Sequence, residues 1–534
     1  MDIDRRRLLA LAAAGAAPVA GCDPAQVRAT FMHGVASGDP GPDRITVWTR
    51  ATPQGRPRRV EVAWEIAEDA AFARLVDAGM LSTGPERDYT VKVDVGGLSP
   101  GRDHHYRFRV GEAVSPVGRT RTLQRGPTAQ VRLAVASCAL YPAGRFNAYR
   151  HMAEGAPLDA VVHLGDYIYE YGGAADDYGA AGAAERGRAP QPPHEVVTLR
   201  DYRIRHALYK SDPDLQAAHA AAPWICVWDD HDVANDAWMG GAENHQPDTE
   251  GRWTARKGAA LQAWYEWMPI REPARGQARE AIFRSFDFGD VATLAMLETR
   301  LTARTRQLAS DEPDLEAKLE DPTRRIMSAE QEDWLGVALT TSVAAGVAWQ
   351  VIGSQTVMAS VAWPDLNLAL GPEGLAALPE RSREAAQRFA AKSHGSALLS
   401  LDAWDGYPAD RRRVFAGVAR SGADLIAVSG DSHAFWVNTL REGERRIGVE
   451  FGTTAVTSPS RNDAFPDLDL GALLQRTNPD VVFADQRSKG YLRLTLARDN
   501  ALAELIETGV TQPFTARTVA RFRVAKSGAL ERLA

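Results

Sequence analysis

Residues 28–124 alternate apolar and polar positions in short runs, which is the pattern of half-buried β-strands. Turn sequences such as Pro40-Gly41-Pro42 separate these runs at regular intervals. The alternating runs are residues 45–49, 60–66, 89–95 and 104–110. Together they predict a small all-β sandwich.

The segment Gly97-Leu98-Ser99-Pro100-Gly101, followed by Tyr106-Arg107-Phe108 in the last run, resembles the strand entry of a fibronectin-type module. The all-β domain is therefore expected to be fibronectin-like.

The pattern changes near residue 130, where continuous apolar runs replace the alternating ones. Residues 131–136 and 159–164 are typical of strands buried on both faces, and helical stretches follow them. Further candidate strands are residues 224–228, 291–297, 349–353 and 424–429. This alternation of strands and helices predicts a layered α/β domain over residues 130–515, followed by a C-terminal tail over residues 516–534. A stretch rich in Gly, Ala and Pro, residues 172–193, predicts a mobile surface loop.

The composition limits the classes of protein that this chain can belong to. It has 534 residues, of which 45% are hydrophobic and 25% are charged, an ordinary globular profile. The formal net charge is −7, whereas nucleic-acid-binding proteins usually carry an excess of basic residues. No stable nucleic-acid partner is therefore expected. Its three cysteines are too few for a disulfide scaffold.

Residues 1–22 have the pattern of an export signal. Arg5, Arg6 and Arg7 precede an apolar run over residues 8–20, which is shorter than the roughly 20 residues of a membrane span. The consecutive arginines resemble a twin-arginine signal, which makes the twin-arginine export machinery an expected partner. The end of the segment resembles a lipobox, in which Cys22 would carry a lipid anchor; ordinary cleavage is the alternative. The chain is therefore expected to be exported, as a periplasmic protein or a membrane-anchored lipoprotein.

Residues that can bind metal ions follow four of the predicted buried strands. The four groups are Ser137-Cys138, Gly165-Asp166-Tyr167-Ile168-Tyr169, Asp229-Asp230-His231-Asp232 and Gly430-Asp431-Ser432-His433. Because ligands bind at the carboxyl ends of strands in open α/β sheets, these groups are predicted to surround one site. Two metal ions about 3.5–4 Å apart can activate water and neutralise a phosphate group, so the site predicts phosphate chemistry.

The residue types suggest how such a centre is divided. Asp166 is the candidate to bridge two ions, and Asp230 would serve the second ion. Asp431 and His433 are two residues apart, so they could point to the same side and bind different ions. His231 either binds metal or acts catalytically by protonating the leaving group, and the second role is favoured.

Two further side chains indicate the kind of metal. Cys138 would supply a soft thiolate and Tyr169 a hard phenolate, a combination that suits a trivalent ion such as iron better than magnesium. The alternative for Cys138 is a small buried core residue. Cys226 lies in the middle of a predicted strand and is interpreted as core.

These motifs resemble the alkaline phosphatase D (PhoD-like) family of calcineurin-like metallophosphatases over nearly the whole mature chain. The resemblance is carried by Ser137-Cys138 and by residues 146–150, 163–171, 228–232 and 429–433. It implies a metallophosphatase-type sandwich, in which two mixed sheets are flanked by helices, after the all-β domain. It also implies an exported, metal-dependent phosphoesterase that cleaves phosphate mono- or diesters by a metal-activated hydroxide. The substrates would be small phosphate esters, phospholipids or other phosphodiesters.

The resemblance also implies a set of ligands. Carried over by position, the iron(III) ligands would be Cys138, Asp166, Tyr169 and His433, and the calcium ligands would be Asp166, Asp230 and Asp431. The role of Asp229 stays open.

One segment departs from the family pattern. The chain has Glu298-Thr299-Arg300 where the family usually shows Asp-Thr-Arg, which puts the role of the carboxylate in doubt. Arg300 is either a clamp for the substrate phosphate or an ordinary surface arginine.

Two other functions compete with a general phosphoesterase. One is a phospholipase D-like phosphodiesterase of the same family. The other is a non-catalytic surface lipoprotein that binds ligands through its β-domain. The complete set of candidate metal ligands argues against the second alternative.

Overall fold

The computed structural model describes residues 28–174, 177–380, 382–384, 397–526 and 528–534. The predicted export signal and the lipid attachment at Cys22 fall on residues 1–22 and lie outside the described residues. Within the described part of the chain, no helix combines the length and the apolar character that crossing a bilayer requires.

Residues 28–124 form strands, as their alternating pattern predicts. The strands are β1 (Ala29–Thr30), β2 (Val35–Gly38), β3 (Arg44–Arg50), β4 (Thr52–Pro53), β5 (Val60–Ala67), β6 (Leu75–Thr83), β7 (Thr90–Gly96), β8 (Asp103–Val110), β9 (Ala113–Val114) and β10 (Gly118–Arg121). A five-stranded sheet has the order β10-β8-β5-β6, with β9 paired to β8, and β1 pairs with β4. The remaining three strands, β2, β3 and β7, join a larger sheet of the following domain.

Strands and helices alternate in the rest of the chain. The strands are β11 (Val131–Ala136), β12 (Ala160–His163), β13 (Pro223–Cys226), β14 (Arg284–Phe288), β15 (Ala292–Met296), β16 (Trp349–Ser354), β17 (Leu425–Ser429), β18 (Phe435–Glu442), β19 (Arg445–Gly452), β20 (Val481–Asp485), β21 (Gly490–Leu496), β22 (Asn500–Glu507), β23 (Arg517–Ala525) and β24 (Leu530–Leu533). The helices are α1 (Asn147–Glu154), α2 (Leu199–Lys210), α3 (Pro213–Ala221), α4 (Pro247–Glu250), α5 (Trp253–Trp267), α6 (Leu315–Leu319), α7 (Ala329–Ala344), α8 (Leu366–Ala377), α9 (Pro408–Ser421) and α10 (Leu470–Thr477).

Two large mixed sheets carry the second domain. The ten-stranded sheet has the order β24-β23-β22-β21-β11-β12-β13-β2-β3-β7, and the seven-stranded sheet has the order β14-β15-β16-β17-β19-β18-β20. Parallel strands form the centre of each sheet and antiparallel strands form the edges. This arrangement confirms the predicted α/β class with two mixed sheets and helices.

Alternate residues of the seven-stranded sheet enter two different hydrophobic cores. Val351 and Ile426 belong to a core shared with the ten-stranded sheet. Ile352 and Ala427, one residue further along each strand, belong to a second core with residues of α7, α9 and α10. These strands are buried on both faces, which explains why they are continuous apolar runs in the sequence.

The N-terminal strands extend the central sheet of the second domain. β2 runs parallel to β13, with Ser37 opposite Pro223 and Gly38 opposite Trp224. β3 and β7 continue the sheet beyond β2. The predicted division near residue 124 is therefore a change in sequence pattern rather than a break between sheets.

The structure corrects the prediction of a C-terminal tail over residues 516–534. β23 pairs with β22, and β24 pairs with β23, at the edge of the ten-stranded sheet. Ala520, Phe522 and Val524 are buried, whereas Arg521 and Arg523 between them are exposed. The segment thus has the same alternating pattern as the N-terminal strands. It forms paired strands because alternate residues can be buried on one face of the sheet.

We expect Gly38→Ala to destabilise the protein by about 1–3 kcal/mol, the usual effect of overpacking a filled site. A Cβ at this junction of β2 and β13 would lie 2.3 Å from the carbonyl oxygen of Pro269 and 2.5 Å from that of Trp224. Urea unfolding followed by tryptophan fluorescence measures the change. As the control, Gly258→Ala in α5 adds a Cβ with no atom within 4 Å and should stabilise the protein by up to about 1 kcal/mol. Equal stability of the two variants would contradict this account of the junction.

Candidate metal centre

All of the predicted metal ligands and the predicted catalytic histidine come together at one edge of the two sheets. They are Cys138, Asp166, Tyr169, Asp230, His231, Asp431 and His433, which follow β11, β12, β13 and β17. Backbone hydrogen bonds tie the first two loops together. The amide of Cys138 donates to the carbonyl of Gly165 at 3.2 Å, and that of Ala139 donates to the carbonyl of Asp166 at 3.0 Å.

The backbone at the site is strained. Cys138, Asp166, Asp431 and His433 have φ angles of 60°, 53°, 60° and 58°, in the left-handed region that non-glycine residues seldom occupy. Such conformations cost of order 1–3 kcal/mol each and cluster at functional sites, where surrounding structure enforces them. Gly165 contributes to this enforcement, because a Cβ at its position would lie 2.4 Å from the Cβ and the amide nitrogen of Asp229.

One group of ligands consists of Cys138, Asp166 and His433, whose donor atoms lie within 4.8 Å of one another. The Tyr169 hydroxyl belongs to the same group, because it donates to Asp166 Oδ2 at 2.9 Å and lies 3.3 Å from His433 Nε2. His433 Nδ1 donates to the carbonyl of Pro459 at 2.5 Å, which leaves Nε2 as the nitrogen with a free lone pair. Burial, followed by the charge of Lys489, lowers the pKa of His433 to about 3, so the ring is neutral as a metal ligand must be.

A second group consists of Asp229, Asp230 and Asp431, again within 4.8 Å of one another. Asp166, Asp230 and His231 form a third group at the same spacing. Asp166 belongs to the first and third groups, and Asp230 belongs to the second and third. Asp166 therefore links the cysteine-containing group to Asp230 and, through it, to the other carboxylates, as a bridging ligand would. The geometry also places Asp229, whose role the sequence leaves open, among the candidate ligands.

The acidic groups of the site would be stabilised by cations. Asp166 Oδ1, Asp229 Oδ2 and Asp230 Oδ1 are buried oxygens without a hydrogen-bond partner among the described residues. Burial raises the pKa of Asp166 and of Asp229 well above the usual value, and burial with the neighbouring Asp402 raises the pKa of Asp431 to about 6. Buried carboxylates are expensive unless a positive charge or a metal ion accompanies them. Thiolate, phenolate, imidazole and carboxylate donors converging in this way fit metal ions.

Arg300 supplies part of the compensating charge. Its Nε donates to Asp229 Oδ1, and its Nη1 donates to Asp402 Oδ1 at 2.7 Å. Nη2 lies 3.6 Å from Asp230 Oδ1 and makes no hydrogen bond within the described residues. Arg300 is fully buried, so the alternative of an ordinary surface arginine is wrong. Its contact with a substrate phosphate stays a prediction.

Glu298 holds the turn that carries Arg300. Its Oε1 accepts hydrogen bonds from the Trp228 indole at 3.0 Å and from the amides of Arg300 and Leu301. Its Oε2 accepts from the amide and the hydroxyl of Thr302. Both oxygens of Glu298 thus have local hydrogen-bond donors, and the carboxylate holds the backbone of residues 300–302 in place.

His231 is oriented by a carboxylate to which the sequence analysis assigns no role. Its Nδ1 lies 2.8 Å from Glu170 Oε2, while Glu170 Oε1 accepts from the Asn235 amide at 2.7 Å and from Asn244 Nδ2 at 2.9 Å. Burial opposes the charged form of Glu170, but His231 and these hydrogen bonds outweigh it and lower the pKa of Glu170 to about 2. The position of Glu170, directly after Tyr169 in the motif, is its only signal in the sequence.

The predicted mobile loop at residues 172–193 is anchored in its described part. The Tyr178 hydroxyl donates to the carbonyl of Pro459 at 3.0 Å and lies 3.2 Å from His433 Nδ1, so the loop packs against a candidate ligand. Arg188 is buried, and its Nη1 donates to Asp212 Oδ2 at 2.7 Å. Neither contact has a local signal in the sequence, because each partner lies far along the chain.

A cavity of about 580 Å³ opens beside the candidate ligands. Four of the residues that line it are Asp230, His231, Asp431 and His433. The cavity is large enough to hold a phosphate group together with the remainder of a small ester.

Comparisons with known proteins agree with this geometry. Residues 133–505 match the model of the PhoD-like phosphatase family, and residues 15–124 match the model of the PhoD-like phosphatase N-terminal domain. The chain belongs to the PhoD-like phosphatase family. It is therefore a hydrolase that acts on phosphate esters, and the alternative of a non-catalytic lipoprotein is wrong. Alkaline phosphatase D of Bacillus subtilis (strain 168) is 36% identical over 485 residues, which cover 87% of this chain and 75% of that protein.

Solved structures support the same assignment of the fold. A structure described as PhoD is 31% identical and has a TM-score of 0.80, covering 96% of this PhoD-like chain and 94% of the other. A purple acid phosphatase from yellow lupin (Lupinus luteus) seeds has a TM-score of 0.55 at 12% identity, covering 92% and 73% of the two chains. At this low identity, the second match shows the metallophosphatase-like fold alone.

We expect Asp166→Asn to lower bound metal by more than about tenfold, because the substitution neutralises the carboxylate shared by two ligand groups. The amide keeps the size of the side chain and an oxygen that can accept from Tyr169. Elemental analysis by plasma mass spectrometry after dialysis gives the metal content. Asp77→Asn on the exposed strand β6 is the control and should keep wild-type metal. An Asp166→Asn protein with full metal content would show that Asp166 is not a shared ligand.

Proposed function

We propose that this chain is an exported phosphoesterase that hydrolyses phosphate mono- or diesters with the help of two or more metal ions, iron(III) and calcium among them. The observation that carries the proposal is the position of Asp166, which belongs to two ligand groups and has a buried oxygen without a partner. A carboxylate in this situation is typical of centres in which two ions share a ligand.

The donor set supports a division between a softer and a harder metal position. Cys138, Tyr169 and His433 gather with Asp166 and suit iron, whereas Asp229, Asp230 and Asp431 form a separate group that offers only oxygen and suits calcium. Bound metal ions would neutralise the ester phosphate and lower the pKa of water. The residues of the chain contribute by holding these positions rigidly, through the strained loops after β11, β12 and β17.

His231 is placed to transfer a proton to the leaving group. Glu170 occupies Nδ1, so Nε2 is the nitrogen available to a molecule in the cavity that His231 lines. The imidazole also stacks on the ring of Tyr169, with the centroids 4.3 Å apart, which fixes its plane. A general acid needs this combination of a fixed orientation and access to the substrate.

The proposal is tested by incubating the metal-analysed protein with p-nitrophenyl phosphate, an alkyl phosphate and bis(p-nitrophenyl) phosphate, each with wild type and His231→Ala. We expect the wild type to hydrolyse a mono- or diester and to lose activity on chelation. His231→Ala should lower kcat by about 10²–10⁴-fold. The loss should be larger for the alkyl ester, because its poor leaving group needs the proton most.

The matched control is His194→Ala, which removes an exposed histidine outside the cavity and should leave kcat unchanged. If His231→Ala also loses metal, His231 is a ligand instead of an acid. If the metal-loaded wild type hydrolyses none of the esters, the proposed function is wrong.

We further propose that the chain is exported through the twin-arginine machinery and anchored by a lipid on Cys22. The support is the sequence of residues 1–22, in which paired arginines precede a short apolar run that ends at Cys22. Cell fractionation should find the wild type in the membrane fraction and Cys22→Ser in the soluble exported fraction. Membrane association of Cys22→Ser equal to that of wild type would overturn the lipid anchor and leave the esterase proposal untouched.

A further inference from the structure

Arg461 lines the cavity and stands on a turn whose backbone is held by hydrogen bonds. The turn, Arg461–Ala464, is a short 3-10 helix that begins after Ser460. The Ser460 amide donates to Asp463 Oδ2 at 2.6 Å. Asn462 accepts from the amide of Leu470 at 3.3 Å and donates to the carbonyl of Phe465 at 3.0 Å. These bonds fix the Cα of Arg461 without using its side chain.

The guanidinium of Arg461 is unpaired among the described residues, where it forms neither an ion pair within 4 Å nor a hydrogen bond. The other arginines near the site behave differently, because Arg300 and Arg304 both donate to Asp402 Oδ1. Arg461 lines the same cavity as Asp402 and Asp431 and still contacts neither. An arginine held beside acidic groups without pairing is available to another anion.

Arg461 lines the same cavity as Asp431 and His433, two of the candidate metal ligands. A substrate held at those ligands would therefore share the cavity with the guanidinium of Arg461. The described cavity wall beside it is otherwise neutral or acidic, apart from the two histidines, with Gln307, Ser310 and Asp236 among its members.

We propose that Arg461 binds a non-bridging oxygen of the substrate phosphate, while Arg300 holds the carboxylates behind it. A guanidinium matches two phosphate oxygens with parallel N–H groups, and Arg461 has all of its N–H groups free to do so. Two of the three guanidinium nitrogens of Arg300 already donate hydrogen bonds within the protein, to Asp229 and Asp402. The inference rests on the proposed function, since it concerns the same site and the same class of substrate.

The test compares wild type, Arg461→Ala and Arg461→Lys in steady-state hydrolysis of p-nitrophenyl phosphate and bis(p-nitrophenyl) phosphate. Inhibition by inorganic phosphate is measured in parallel. For Arg461→Ala we expect KM and the phosphate inhibition constant to rise about tenfold to a hundredfold, the effect of losing a hydrogen bond to a charged group. Metal content should stay at the wild-type level. Arg461→Lys keeps the positive charge but loses the paired N–H donors of the guanidinium. Its KM and phosphate inhibition constant should lie between those of wild type and Arg461→Ala.

Arg476→Ala is the matched control, because Arg476 is exposed on α10 and lies outside the cavity. KM and phosphate inhibition within twofold of wild type in Arg461→Ala would overturn the proposal, as would a loss of metal from that variant. If the wild type hydrolyses neither ester, the esterase function fails separately. Calorimetric titration of wild type and Arg461→Ala with inorganic phosphate then still decides whether Arg461 binds the anion.

Discussion

The site depends on the mutual repulsion of carboxylates that the fold buries together. Asp166, Asp229, Asp230 and Asp431 converge at the strand ends, and three of their oxygens have no partner among the described residues. Arg300 compensates part of this charge, and its contacts are concentrated on Asp229 and Asp402. An unpaired buried carboxylate is strongly unfavourable, so positive charge between the acids stabilises this arrangement. The proposed metal ions would supply that charge and would serve the packing as well as the chemistry.

The fold can hold this unfavourable cluster because the site lies at the ends of inner strands of the two sheets. β11, β12 and β13 are flanked by β21 to β24 on one side and by β2, β3 and β7 on the other. N-terminal and C-terminal segments of the chain therefore protect the strands that end at the site from fraying. Cys138 and Asp166 adopt their left-handed conformations just after β11 and β12, and Asp431 and His433 do so just after β17, an inner strand of the seven-stranded sheet. The strands supply the rigidity that strained residues need.

The sequence predicted the features that are local and failed on those that are not. Continuous apolar runs predicted the buried strands, and the ligands stand immediately after them, so Cys138 and Asp166 could be placed on one edge. The roles of Glu170 and Tyr178 depend on partners at positions 231 and 433, which no local pattern indicates. The buried Arg300 likewise pairs with Asp402, which lies 102 positions further along the chain. The strands after residue 516 had a clear alternating pattern, but their partner β22 was itself not predicted, so they resembled a tail.

The arginines explain how an acidic site can attract an acidic substrate. Arg300 and Arg304 both donate hydrogen bonds to Asp402, and these contacts fix Asp402 in the wall of the cavity. The proposed metal ions would neutralise or reverse the charge of Asp230 and Asp431, which line the cavity together with Arg461. An anion entering the loaded site would then meet positive charge from the metals and from Arg461. Without the metals it would meet the acidic groups instead, so the proposed site would couple substrate affinity to metal loading through the carboxylates that hold the ions.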